Sequence, residues 1–203
     1  SQRGSFGDIA ASSFGGMVYY TSPDRSDLLV QLQNQTTKEI CDADWKGLTI
    51  ERLPETPDFT LLVGWTGQVA ITDSLIKATE KKRKIETDSA FYKEFLVKSH
   101  AIVQSLQNAW NKQDIPALQE GIRANRALLN EFAQVMQLEI ETPALQTLCN
   151  LAEQNGACAK TSGAGGGDCG ICFTQNDTQR QQIETQWAKA QIQVLPLTIA
   201  EAW

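Results

Sequence analysis

Five of the nine residues in the string Ser162-Gly163-Ala164-Gly165-Gly166-Gly167-Asp168-Cys169-Gly170 are glycine. Each glycine loses more chain entropy on folding than alanine would, about 0.5–1 kcal/mol, so such a run needs a reason. Successive N–H groups in a run of this kind can be turned toward one point with no side chain between them and a ligand. That makes a cradle for an anion such as phosphate. Lys160, two residues before Ser162, adds a fixed positive charge. The string lacks the G-K-[ST] ending of a Walker loop and the spacing of a dinucleotide fingerprint. A tight strand connection or a plain surface loop would use the same glycines.

Asp8 is the second group of interest. It follows the glycine-rich turn Arg3-Gly4-Ser5-Phe6-Gly7 and sits where a helix would begin, either as a cap or as a charge displayed beside free amides. Asn125 is the third, a polar residue on an otherwise apolar helix stripe, with Arg126 beside it and Arg123 near. A polar residue there is either satisfied internally or lines a cleft, and the arginines either bind an anionic ligand or face solvent. Cys169 and Cys172 form a C-x-x-C, but the second cysteine runs into a strand rather than a helix, which disfavours a redox pair. His100 is the only histidine, so neither a Ser-His-Asp site nor a zinc set is supported.

The elements that must position these groups read as α+β. Met17 to Tyr20 and Leu48 to Leu53 read as strands, and Phe59 to Val63 as a buried one. Ser74 to Ile85 is a candidate helix ending in the Lys81–Lys84 run. A second helix carries Phe91, Phe95, Ile102, Leu106 and Trp110, with Thr87-Asp88-Ser89 as its cap. A third runs from Ile115 to Met136 with Leu118, Ile122, Leu129, Phe132 and Met136 on one face. Thr142-Pro143 opens a fourth. A strand from Ile171 to Thr174, a helix from Asp177 to Lys189 and a closing strand from Ile192 to Ile199 complete the pattern.

Composition bounds the function. The 203 residues carry a formal charge of -6, with 41% apolar and 21% charged residues, as in an ordinary globular protein. No overall positive field draws nucleic acid or anionic lipid, so any anion must be held locally. No apolar run is long enough to cross a bilayer, and five irregularly spaced cysteines suggest reduced thiols in a cytoplasm rather than a disulfide framework. Ser1 in place of a methionine suggests a piece of a longer chain.

Lys160 to Ile171 resembles the third signature of the GHMP kinases, and the Asp168-Cys169 pair after three glycines is similar to its form in bacterial phosphomevalonate kinases. Val63-Gly64-Trp65-Thr66-Gly67 with Thr72 is similar to the G-W-T-G stretch of the same kinases. Gly4 to Ala10, followed by Phe14-Gly15-Gly16, resembles the segment holding their active-site aspartate. The resemblance implies ATP-dependent phosphorylation of 5-phosphomevalonate to 5-diphosphomevalonate, with ATP and magnesium required. Its relatives in activity, such as mevalonate kinase, or a non-catalytic module of the same fold, remain as alternatives.

By that resemblance Asp8 is the catalytic aspartate. Ser5, Lys160, Ser162, Gly163, Ala164, Gly165, Gly166, Gly167, Asn125 and Arg126 then bind phosphate or substrate. It also implies that residues 1–47 are the end of an N-terminal domain and 48–203 a ferredoxin-like C-terminal domain. The family's first two signatures, including the G-L-G-S-S-type ATP loop, do not occur in the chain and are expected before Ser1. The missing N-terminal portion of the enzyme is then the chief partner, with no nucleic acid and no membrane.

Overall fold

The computed structural model describes residues 5–67, 89–163 and 165–200. Thr72, the Ser74–Ile85 helix with its basic run, and Ala164 lie outside the described residues. The chain divides into two compact units, one of Ser1–Glu55 with Ile199–Trp203 and one of Thr56–Thr198.

In the first unit, α1 (Gly7–Phe14) leads to β1 (Val18–Thr21), α2 (Arg25–Asn34), α3 (Thr37–Asp42) and β2 (Thr49–Arg52). β1 and β2 pair antiparallel, Val18 opposite Arg52 and Thr21 opposite Thr49. The first compact unit thus runs on through β2 to Glu55. Four ladder positions tie β2 to the first unit, whereas the sequence pattern of 48–53 alone does not say which strand it joins. The Arg52 guanidinium donates to Phe14 O at 3.0 Å, and Gly16 N–H donates to Ala200 O, so the last residues return to this unit. α2 and α3 were not foreseen. α2 buries no residue and shows no apolar stripe; its start is signalled only by Asp24, which accepts from the N–H groups of Ser26 and Asp27. α3 opens with a capping box between Thr36 and Glu39, a pattern readable from T-x-x-E.

The second unit contains β3 (Thr60–Trp65), α4 (Ala90–Asn111), α5 (Ile115–Met136), α6 (Pro143–Gln154), β4 (Cys158–Thr161), β5 (Cys169–Thr174), α7 (Asp177–Lys189) and β6 (Gln193–Leu195). The sheet runs β4-β5-β3-β6, every neighbouring pair antiparallel. This is the split β-α-β order of a ferredoxin-like sheet. Ser89, Asp114, Thr142 and Asn176 each accept a backbone N–H at a helix start, which is why those starts were visible in the sequence.

Alternation along the strands sorts the core into two faces. Leu62, Ala159 and Cys172 cluster with Leu145, Leu148 and Cys149 of α6 and with Ile183 and Trp187 of α7. Leu61, Cys158, Ile171 and Phe173 cluster with Leu106 of α4 and Ile122 of α5. Gly64 and Gly170 lie opposite one another in the β3–β5 ladder. A Cβ on Gly64 would come within 2.7 Å of a Leu148 methyl carbon, and one on Gly170 within 2.6 Å. These two glycines of the motifs therefore serve packing: they let Leu148 and Trp187 sit directly on the sheet.

Three details depart from expectation. The closing strand is only Gln193–Leu195, pairing with β3 alone. β4 was missed because C-A-K-T is short and carries no alternation of its own. Leu128 is buried in α5 where Leu129 was expected, and Gly121 and Ala133 are buried with it, beside the expected Leu118, Ile122, Phe132 and Met136; the apolar face is wider than the stripe of large residues suggested.

Candidate functional site

The glycine-rich string is the connection of the β4–β5 hairpin, closed by Thr161 opposite Gly170 and by Ser162 N–H to Cys169 O at 2.9 Å. Gly163, Gly165, Gly166 and Gly167 have φ of 61°, 75°, 87° and 121°, a region closed to most side chains. Two neighbours shape the loop. Thr66, of the G-W-T-G stretch, donates its backbone N–H to Asp168 O at 3.0 Å, and its hydroxyl donates to Gly167 O. Ile140, between α5 and α6, accepts Gly166 N–H at 2.8 Å. A Cβ on Gly165 would stand 2.4 Å from Ile140 O.

This corrects the picture of a loop that offers all its amides to an anion. The N–H groups of Ser162, Gly165 and Gly166 are donated to the chain itself. Gly163 and Gly167 are the glycines of the loop whose N–H meets no acceptor among the described residues. The Asp168 backbone carbonyl gives that residue a structural task, and its carboxylate accepts from the Cys169 thiol at 3.6 Å.

Lys160 precedes the loop in β4. Its ammonium donates to Thr161 O at 2.8 Å, and no carboxylate pairs with it among the described residues. Burial pushes its pKa down from the ordinary lysine value. Lys160 is half-buried; a partly desolvated cation without a counter-ion carries a cost, and an anionic ligand at the loop would relieve it.

Arg126 is elsewhere engaged. Its guanidinium binds Glu141 at 2.5 and 2.9 Å, Glu153 at 2.9 Å and Asn150 at 2.9 Å. Burial works against the charged form, but the bonds to Glu141 and Glu153 outweigh it and hold Arg126 above its usual range. Two carboxylates already neutralise this cation, so its assignment as a substrate anion binder does not hold. Nothing in the sequence of α5 marks Glu141 as its partner. Arg123 donates to Ala157 O at 3.3 Å. Asn125 is half-buried and has no hydrogen-bond partner among the described residues, so it stays available.

In the first unit, Asp8 lies exposed in the first turn of α1. The residue before that helix, Phe6, has a φ of 64°, unusual for an aromatic residue. Three contacts hold it: Tyr20 OH donates to Ser5 O at 2.5 Å, Ala10 N–H donates to Phe6 O, and Arg25 stands 5.6 Å from the Phe6 ring centre. Ser5 Oγ accepts from Gly7 N–H at 3.4 Å. Tyr20 was not foreseen, since nothing in its own segment points to Ser5.

The C-x-x-C does not form a redox pair. Cys169 and Cys172 are three residues apart on one strand, so they point to opposite faces with Cα atoms about 10 Å apart, beyond disulfide reach. Burial pushes the Cys149 thiol up to about 12 and the Cys158 thiol up to about 11, so neither is nucleophilic near neutrality.

The site is thus a glycine hairpin at the edge of a ferredoxin-like sheet, with spare amides and a lysine that has no carboxylate partner among the described residues. Within the chain, residues 100–193 match the family described as GHMP kinases C terminal, so the chain carries a GHMP kinase C-terminal domain. More particularly, it is 37% identical over 200 residues to the phosphomevalonate kinase of Streptomyces sp. (strain CL190), covering 98% of this chain and 53% of that protein. A crystal structure of a Listeria innocua protein matches with a TM-score of 0.93 and 32% identity, over 99% of this chain and 56% of the other. Streptococcus pneumoniae phosphomevalonate kinase in complex with phosphomevalonate and AMPPNP matches with a TM-score of 0.81 and 29% identity, over 98% and 56%. The chain thus spans about half the length of the relatives it matches.

Proposed function

We propose that the chain is the C-terminal part of an ATP-dependent kinase that converts 5-phosphomevalonate to 5-diphosphomevalonate in the mevalonate route to isoprenoids, in the cytoplasm. The observation that carries this is the 37% identity to the Streptomyces phosphomevalonate kinase, which extends over 98% of the chain. The pneumococcal relative was crystallised with phosphomevalonate and an ATP analogue, which supplies the acceptor and donor classes.

Phosphoryl transfer asks a protein mainly for alignment and charge neutralisation. The N–H groups of Gly163 and Gly167, the Lys160 ammonium and the Ser162 hydroxyl are donors of the kind that phosphate oxygens accept. Asp8, with Ser5 beside it, would orient the acceptor. The acceptor phosphate is already largely ionised near neutrality, so Asp8 has less need to act as a base. Asn125 would contact the acceptor's polar groups.

ATP, when bound, supplies the phosphoryl group, and magnesium supplies counter-charge. Among the described residues no group of three or more His, Cys, Asp or Glu could hold a metal, so magnesium would be held largely by phosphates, as is usual for it. The main ATP loop is expected in the part of the enzyme that this chain does not span. No helix among the described residues is long and apolar enough to cross a membrane.

The test is a coupled ADP-release assay on this chain joined to the segment bearing the ATP loop. Phosphomevalonate is the expected acceptor, and turnover of mevalonate in its place would overturn the assignment. The 203-residue chain alone should produce no diphosphomevalonate; measurable synthesis by it would show that the ATP site is complete within it.

A further inference from the structure

The loop is held in shape by a connector whose own fixing depends on a buried ion cluster. Residues 137–142 join α5 to α6. Within them Ile140 packs its side chain into the cluster of Phe132, Ala133 and Met136, and its carbonyl accepts Gly166 N–H at 2.8 Å. The next residue, Glu141, has a side chain only 5% exposed, and its carboxylate receives Arg126, itself 12% exposed. Asn130 donates to the same carboxylate at 2.9 Å. Thr142 then caps α6. The 140–141 peptide is therefore gripped from both sides, and its carbonyl stands where Gly165 and Gly166 must fold around it.

We propose that Arg126 and Glu141 are positioning residues for the phosphate loop. Their buried pair orients the 140–141 peptide, the Ile140 carbonyl sets Gly165 and Gly166, and these in turn aim the free N–H groups of Gly163 and Gly167. The functional half of this proposal rests on the kinase reading above. The cluster does not bind the anion itself, since Glu141 and Glu153 already offset the one guanidinium. A buried ion pair contributes little net stability over an apolar replacement and is better suited to fixing one conformation.

The test uses the ¹⁵N-labelled chain and amide hydrogen exchange of Gly166 in wild type, Arg126→Met, Arg126→Lys and Glu141→Gln. Lys98→Ala, which breaks an exposed pair with Glu94, serves as the control. Gly166 exchange, relative to the Cys172 amide in β5, should accelerate about tenfold in Arg126→Met and less in Arg126→Lys and Glu141→Gln, because local opening no longer has to break the clamp. Inorganic phosphate, titrated while the Gly163 and Gly167 resonances are followed, should bind more weakly in the same order. An unchanged ratio of Gly166 to Cys172 exchange overturns the positioning role, even if the whole domain loses stability. Selective acceleration with phosphate binding unchanged or absent in every variant leaves the clamp standing and overturns its link to the anion site.

Discussion

Gly165→Ala tests the loop geometry most directly. Residue 165 has a φ of 75°, and a Cβ there would meet Ile140 O at 2.4 Å and Ile140 Cγ2 at 2.7 Å. Gly163 offers the internal control, with a φ of 61° and nothing within 4 Å of a Cβ. Both substitutions incur the left-handed penalty of about 1–2 kcal/mol. Both recover about 0.4–1 kcal/mol because alanine restricts the unfolded chain. Only Gly165→Ala adds an overpacking cost of about 1–3 kcal/mol, because the atom it strikes is backbone held by two neighbours. The expected losses are about 1–4.5 kcal/mol for Gly165→Ala and about 0–1.5 kcal/mol for Gly163→Ala, the former larger by the overpacking cost. Urea unfolding followed at the indole resonance of the buried Trp187 reports the second unit alone. Equal losses for the two variants would refute the close approach of residue 165 to the 140–141 peptide.

Four further outcomes follow from the same geometry. Arg126→Met leaves Glu141 charged in a nearly buried site, so it should cost about 3–5 kcal/mol near neutrality, measured by the same urea unfolding. Burial raises the Glu141 pKa, but its bonds from Arg126 and Asn130 prevail and hold it below the ordinary value of 4.5. Wild type should therefore be fully stabilised above that pH and lose stability as pH falls through the depressed folded value, while Glu141→Gln should show a flatter acid limb. Lys160→Met should raise the thermal midpoint, since it removes a half-buried charge that lacks a carboxylate partner among the described residues, and should weaken phosphate binding; a lower midpoint with unchanged binding would contradict the role given to Lys160. Thiol titration of the native chain should label exposed Cys41 first and half-exposed Cys169 more slowly, with Cys149, Cys158 and Cys172 reacting only on unfolding.

How legible the fold was depended on how local its causes are. α5 and α7 match the bounds read from the sequence: Asp114 with Pro116, and Asn176 with Asp177, mark their starts, and a sustained apolar period marks the body of α5, while α7 buries only Ile183 and Trp187. α2 and β4 were not read, since one buries no face and the other is four residues long. The glycine-rich string announced a loop that must bend where side chains cannot follow. It did not announce that three of its amides are already spent, or that Gly64 and Gly170 make room for Leu148 instead of serving a ligand.

The sequence by itself determined the α+β class, most helix starts, the location of the glycine-rich loop and the resemblance to a kinase family, because caps, periodicity and glycine runs act over a few neighbouring residues. Only the tertiary structure decided which amides stay free, that Lys160 is half-buried without an acid beside it among the described residues, and that Arg126 turns toward Glu141, fifteen positions away. Ion pairs and carbonyl contacts between residues distant along the chain leave no periodic trace, and they form only when the sheet and helices have brought those residues together.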